Sequence, residues 1–123
     1  MASGVPEDVE RFVRTALSSV QQLEVLLLLR ATDETWTPES VAARLKTHAA
    51  AAAGCLQSLA LVGLAAEDGN AYRYEPGARA ALVDRLAELY PTYRTRITGL
   101  IYSEASDAEA FADAFRLRRR KES

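Results

Sequence analysis

Residues 37–48 read Thr-Pro-Glu-Ser-Val-Ala-Ala-Arg-Leu-Lys-Thr-His, and residues 56–64 read Leu-Gln-Ser-Leu-Ala-Leu-Val-Gly-Leu. Thr37 before Pro38 is a helix start: the hydroxyl accepts a first-turn amide, and proline brings no amide to a position that could not use one. Val41, Ala42 and Leu45 then share one face of a short helix. Lys46-Thr47 is a tight break, with Thr47 positioned to cap a longer helix from His48 to about Val62. Gly63 ends that helix by supplying a left-handed residue. Its inward positions are Ala52, Cys55, Leu56, Leu59 and Val62.

Beyond Gly63 the period changes. Leu64-Ala65-Ala66 and Ala71-Tyr72-Arg73-Tyr74 flank Glu67-Asp68-Gly69-Asn70, a hairpin turn by composition. Strand alternation turns Tyr72 and Tyr74 toward the helices and Arg73 toward solvent. On the N-terminal side, Ser19 and Gln22 fit a capping box that starts a helix at Val20. Leu23 and Val25 to Leu29 make that helix apolar almost all round, so it is expected at the centre of the core. Pro6-Glu7-Asp8 reads as the first turn of an earlier helix with the stripe Val9, Phe12, Val13, Ala16, Leu17 and Val20. Trp36, in the polar link ahead of Thr37, is expected to plug the core.

The C-terminal side predicts a helix from Ala78 to about Tyr90 with Leu82, Leu86 and Leu89 on one side, broken at Pro91. Tyr93, Ile97, Leu100 and Ile101 continue an apolar stripe to Tyr102. Ser106 and Glu109 form a second capping box, before a helix carrying Ala108, Phe111, Ala112 and Phe115. The expected organisation is an N-terminal helix over 1–18, a compact core over 19–77, and C-terminal helices with a basic tail over 78–123. The fold class is mainly α with a small β-hairpin.

Composition narrows the function. An apolar fraction of 49% with 26% charged residues describes a folded chain. Val25 to Leu29 is far shorter than the ~20 apolar residues of a bilayer span. The acidic start, Met1 to Asp8, lacks the features of a signal peptide, which places the protein in the cytoplasm. Cys55 is the only cysteine and His48 the only histidine, so neither an intrachain disulfide nor a zinc site is available to them. The two do not make a nucleophile pair, Gly69 and Gly77 are isolated rather than part of a phosphate loop, and the acids sit in links and turns. No catalytic residue, cofactor or metal ligand is assigned, and the chain reads as a non-enzyme. Cys55 reads as a small apolar residue.

The order helix, helix, short helix, tight turn, longer helix and hairpin, with the two stretches quoted first, resembles the winged helix-turn-helix superfamily, including the MarR-like and ArsR-like bacterial regulators. The resemblance covers about Ser19 to Pro76. It implies a cytoplasmic bacterial transcription regulator that binds duplex DNA, with His48 to Val62 as the recognition helix in the major groove and Glu67 to Asn70 as the wing tip. The run from Gly99-Leu-Ile-Tyr-Ser to Phe111-Ala-Asp-Ala-Phe-Arg-Leu-Arg-Arg-Arg-Lys looks like the end of small bacterial proteins built on the same unit.

The chain departs from such regulators in its charges. Its net charge is −2, made of −4 over 1–39, +2 over 40–102, −4 over 103–115 and +4 over 116–123. The outward face of the recognition helix holds no Arg or Lys; His48, Gln57 and Ser58 are its candidates for base readout. The wing tip carries Glu67 and Asp68, where a phosphate neighbour is usually basic. Arg44, Lys46, Arg73 and Arg79 are the candidate phosphate contacts, which orient a protein without giving it sequence preference.

Arg116, Arg118, Arg119, Arg120 and Lys121 form the densest basic cluster, either an arm for an acidic surface or the complement of their own helix dipole. The small residues Ala49 to Ala53 suggest the alternative function, a protein-interaction module that docks a partner or a second copy through that face and the C-terminal Phe111/Phe115 helix. A homodimer is expected in either case, because the apolar stripe from Leu82 to Ile101 exceeds what one small trihelical core needs.

Overall fold

The computed structural model describes residues 4–102. The second capping box, the Phe111/Phe115 helix and the basic cluster from Arg116 to Lys121 lie outside them. The described residues are mainly helical with one two-stranded antiparallel hairpin. The elements are α1 (Glu7–Ala16), α2 (Val20–Ala31), α3 (Pro38–Leu45), α4 (Ala49–Leu61), β1 (Ala65–Asp68), β2 (Ala71–Tyr74) and α5 (Ala80–Leu89). A single 3-10 turn, Gly77–Arg79, leads into α5, and helical backbone resumes over 94–102.

Local chemistry starts and stops these elements where the sequence signals them, with three adjustments. Pro6 precedes the first turn of α1 in extended conformation, leaving Glu7, Asp8 and Glu10 at the positive end of the helix dipole. Ser19 Oγ accepts the Gln22 amide as expected, but the Gln22 side chain does not return to Ser19. Its Oε1 accepts from the Ser18 amide at 3.0 Å and the Ser18 hydroxyl at 2.7 Å, while its Nε2 donates to Ala16 O at 3.2 Å. The longer reach satisfies the buried corner where α1 and α2 meet at 109°, so a polar side chain only 2% exposed is tolerated there. Thr37 caps α3, with Ser40 completing the reciprocal pair. Thr47 does not cap α4: its hydroxyl accepts from Gln21 Nε2 at 3.0 Å, tying the break to α2, and the cap position belongs to His48.

Gly63, at φ +83°, ends α4 as its composition requires. The hairpin is tighter than the sequence suggests. Glu67 and Asp68 are strand residues paired with Tyr72 and Ala71, and the turn is Gly69-Asn70 alone. Gly69, at φ +65°, supplies the positive angle such a two-residue turn needs. Trp36 packs on the core and also extends the sheet: its amide donates to Tyr72 O, and its carbonyl accepts from the Tyr72 amide, both at 2.7 Å. The indole N–H donates to Thr32 Oγ1 at 2.8 Å. Thus the hairpin is anchored to the residue just ahead of α3.

One buried apolar cluster runs from Val5 to Ile101. α2 lies at its centre, with Leu23, Val25, Leu26 and Leu29 fully buried, and it packs on α4, which also packs on α3. α1 packs against α5. The inward stripe of α5 is Val83, Leu86 and Tyr90, not Leu82, Leu86 and Leu89: Leu82 and Leu89 are only half-buried. Ile97, Leu100 and Ile101 are buried in the same cluster. Much of the stripe that suggested a pairing surface is therefore spent inside the chain, closing the core over α1. Among the described residues no single helix is long and apolar enough to cross a membrane; α1 and α2 pass that test only as a bent pair.

Tyr74 adds a test of this packing. Its side chain is half-buried, but its hydroxyl is buried with no hydrogen-bond partner among the described residues. A lost hydration shell without a replacement bond destabilises a fold. Tyr74→Phe is expected to raise stability by about 1 kcal/mol in urea denaturation. A fall in stability would show that the hydroxyl is satisfied in solution.

Candidate nucleic-acid interface

α4 presents one long face to solvent. His48, Ala49, Ala50, Gly54, Gln57 and Leu61 are exposed, whereas Ala52, Cys55, Leu56 and Leu59 are buried against the core. At its N-terminal end, Lys46 takes the left-handed conformation (φ 58°, ψ 52°), which turns the chain sharply between α3 and α4. The His48 side chain makes no capping bond, so the first-turn amides of α4 are not closed off by it. Arg44 and Lys46 are exposed beside this turn, and neither is ion-paired among the described residues. Two cations and an uncapped helix start form an anion-attracting corner.

The other two candidate phosphate contacts are elsewhere. Arg73 faces solvent as expected, but pairs with Glu75 at 3.2 Å. It lines a cleft with Arg30, Asp33, Glu34 and Tyr74, away from α4. Arg79 is half-buried, and its guanidinium donates to Val62 O at the far end of α4. It also lies 6.0 Å from the centre of the Phe12 ring. Arg79 thus serves the helix C-terminus, where a cation meets the negative end of the dipole, and stands at the opposite end of α4 from Arg44 and Lys46.

Gln57 is exposed and Ser58 half-buried, in the C-terminal half of α4. Both line a groove of about 650 Å³ with Gly54, Ala60, Leu61 and Glu67. Glu67 Oε2 accepts the Tyr72 hydroxyl at 3.1 Å, which holds the carboxylate over this side of the helix. Burial, and then the Glu67 carboxylate, push the Tyr72 phenol above its ordinary pKa, so it stays a neutral donor through the physiological range. Sequence reasoning placed Glu67 at the wing tip. The overlooked signal was Gly69-Asn70, which makes a complete two-residue turn and draws Glu67 back into the strand.

Acid and base are thus divided along α4. Thirteen residues make it about 20 Å long, with Arg44 and Lys46 at its start and Glu67 beside its second half. Gln57 lies about 13 Å along the axis from His48. That exceeds the ~8 Å Debye length at physiological salt, so the two ends act on a ligand separately.

His48 and Cys55 are two helical turns apart, about 10 Å along the axis, with one exposed and the other buried. Burial raises the Cys55 thiol pKa, disfavouring the thiolate. Among the described residues no group of three or more His, Cys, Asp or Glu side chains is arranged to hold a metal ion.

Comparison of the chain with protein-family models, with curated proteins and with solved structures finds no match.

Proposed function

We propose that the chain is a winged-helix protein of the MarR-like and ArsR-like kind, a bacterial transcription regulator that grips duplex DNA mainly through its phosphates. The observation that carries this reading is the exposed Arg44 and Lys46, unpaired among the described residues, beside a start of α4 that the His48 side chain does not cap. In this mechanism the two side chains and the first-turn amides hold phosphates at the groove edge. The small residues Ala49 and Ala50 let the helix approach closely. Gln57 and Ser58 supply what base contact there is, and Glu67 beside them opposes a phosphate on that side.

Two cationic contacts give weak binding that salt removes quickly. Fluorescence anisotropy with random-sequence duplex DNA is expected to show low-micromolar affinity at low salt. The logarithmic salt slope is expected near ~−2, from about 0.9 per phosphate neutralised. No binding at low salt would sink the reading.

A second reading is favoured by Glu67, which repels phosphate but not a protein. Of the expected Ala49 to Ala53 face, Ala52 is buried in the core, so in this reading α4 offers Ala49, Ala50 and the half-buried Ala51 and Ala53 to a partner helix, and the same titration shows no DNA binding at any salt.

A further inference from the structure

Leu61 is the most exposed large apolar residue of the described chain, at 88%. It is the last residue of α4, and with Val62 it borders a groove of about 410 Å³. The opposite wall is the C-terminal end of α1, contributing Arg14, Ala16 and Leu17, and Ile101 lies in the same lining. Leu61 stands in water at the rim of a groove of mixed lining, with Leu17, Val62 and Ile101 beside Thr15, Gln22 and Ser58, and an apolar side chain laid there would take it out of water.

We propose that this groove seats the chain's own C-terminal segment, residues 106–115, with Phe111 and Phe115 laid against Leu61. Three observations select that occupant. The described chain ends at Tyr102, next to groove-lining Ile101, so the segment starts at the groove and needs no long connection. Three residues lie between Tyr102 and the Ser106 cap position, and the four steps from one to the other span at most about 14 Å. The sequence of 106–115 places Ala108, Phe111, Ala112 and Phe115 on one helical face, the 3–1–3 spacing that fills an apolar groove. Its charges also suit the site: residues 103–115 carry Glu104, Asp107, Glu109 and Asp113 and no base, while Arg14 stands at the groove wall.

Docked this way, the segment covers the end of α4 away from Arg44 and Lys46, and the basic residues 116–121 emerge beyond it. The docked segment shares Ser58 with the proposed base-contacting side of α4 but does not touch Arg44 or Lys46, and its test reads a different signal from DNA binding.

The test is hydrogen exchange of the full-length chain, followed by mass spectrometry, for the wild type, Leu61→Asp and Phe111→Asp. Amides of 108–115 are expected to exchange at least tenfold more slowly in the wild type than in either variant. Amides of α2 and α4 are expected to be unchanged, because Leu61 contributes nothing to the buried core. Exchange of 108–115 at free-peptide rates in the wild type overturns the proposal, as does protection that survives both substitutions. Protection that falls on dilution, with matching dimer dissociation in sedimentation, also overturns it and assigns the groove to a second copy.

Discussion

Leu26→Ala is expected to lower the unfolding free energy by about 3 kcal/mol, in the middle of the range for truncating a fully buried leucine. Leu26 is 0% exposed in the central helix α2, within the cluster that runs from Val5 to Ile101. Against the ~5–15 kcal/mol net stability of a typical domain the loss is large. The melting temperature should fall by roughly 10–15 °C for a chain of this length. Trp36 is the only tryptophan and sits where the hairpin joins the link to α3, so its fluorescence reports the hairpin end of the molecule. Far-UV circular dichroism reports all the helices, including α1 and α5. Since one core joins these regions, both probes should shift to the same new midpoint with the urea slope unchanged. Separate midpoints would mean that the α1–α5 pair melts independently of the α2–α4 centre. Leu27→Ala, on the half-buried side of the same helix, is expected to cost less.

The double charge reversal Arg44→Glu, Lys46→Glu is expected to weaken binding to duplex DNA at least tenfold at low salt and to flatten the salt slope by about 2. Two phosphate contacts disappear, and two like charges take their place. Both side chains are exposed and unpaired among the described residues, so stability should change by no more than about 0.5 kcal/mol. Arg79→Glu should do the reverse. It removes the bond to Val62 O and the contact with Phe12, so the fold loses stability while the DNA slope stays that of the wild type. Unchanged DNA binding after the double reversal would remove the corner at the start of α4 from the interface.

The elements were legible because their ends are local chemistry. Thr37-Pro38 starts α3, Ser19 starts α2, and Gly63 ends α4, each through groups within a few residues of one another. The depth of α2 was equally plain, since an all-round apolar helix has nowhere to lie but the centre. Where the sequence reading slipped, a distant partner intervened. Gln22 passes over Ser19 to satisfy the corner with α1, Thr47 answers Gln21 rather than α4, and Val83 faces the core because of how α5 packs beside α1.

The candidate site was less legible than the fold for the same reason. Seven charged or polar positions could be named from spacing alone, but spacing cannot say which side chains remain available. Arg79 is taken up by a carbonyl 17 residues away, Arg73 turns to Glu75, and Glu67 is drawn by Tyr72 against the groove beside Gln57. Sequence by itself determined the helices, the hairpin and the central core, because propensity, capping and apolar period act over a few residues. Only the tertiary structure decided which candidate cations are engaged within the described residues and where the acid stands. Those outcomes depend on contacts between elements, which close only when the whole chain packs.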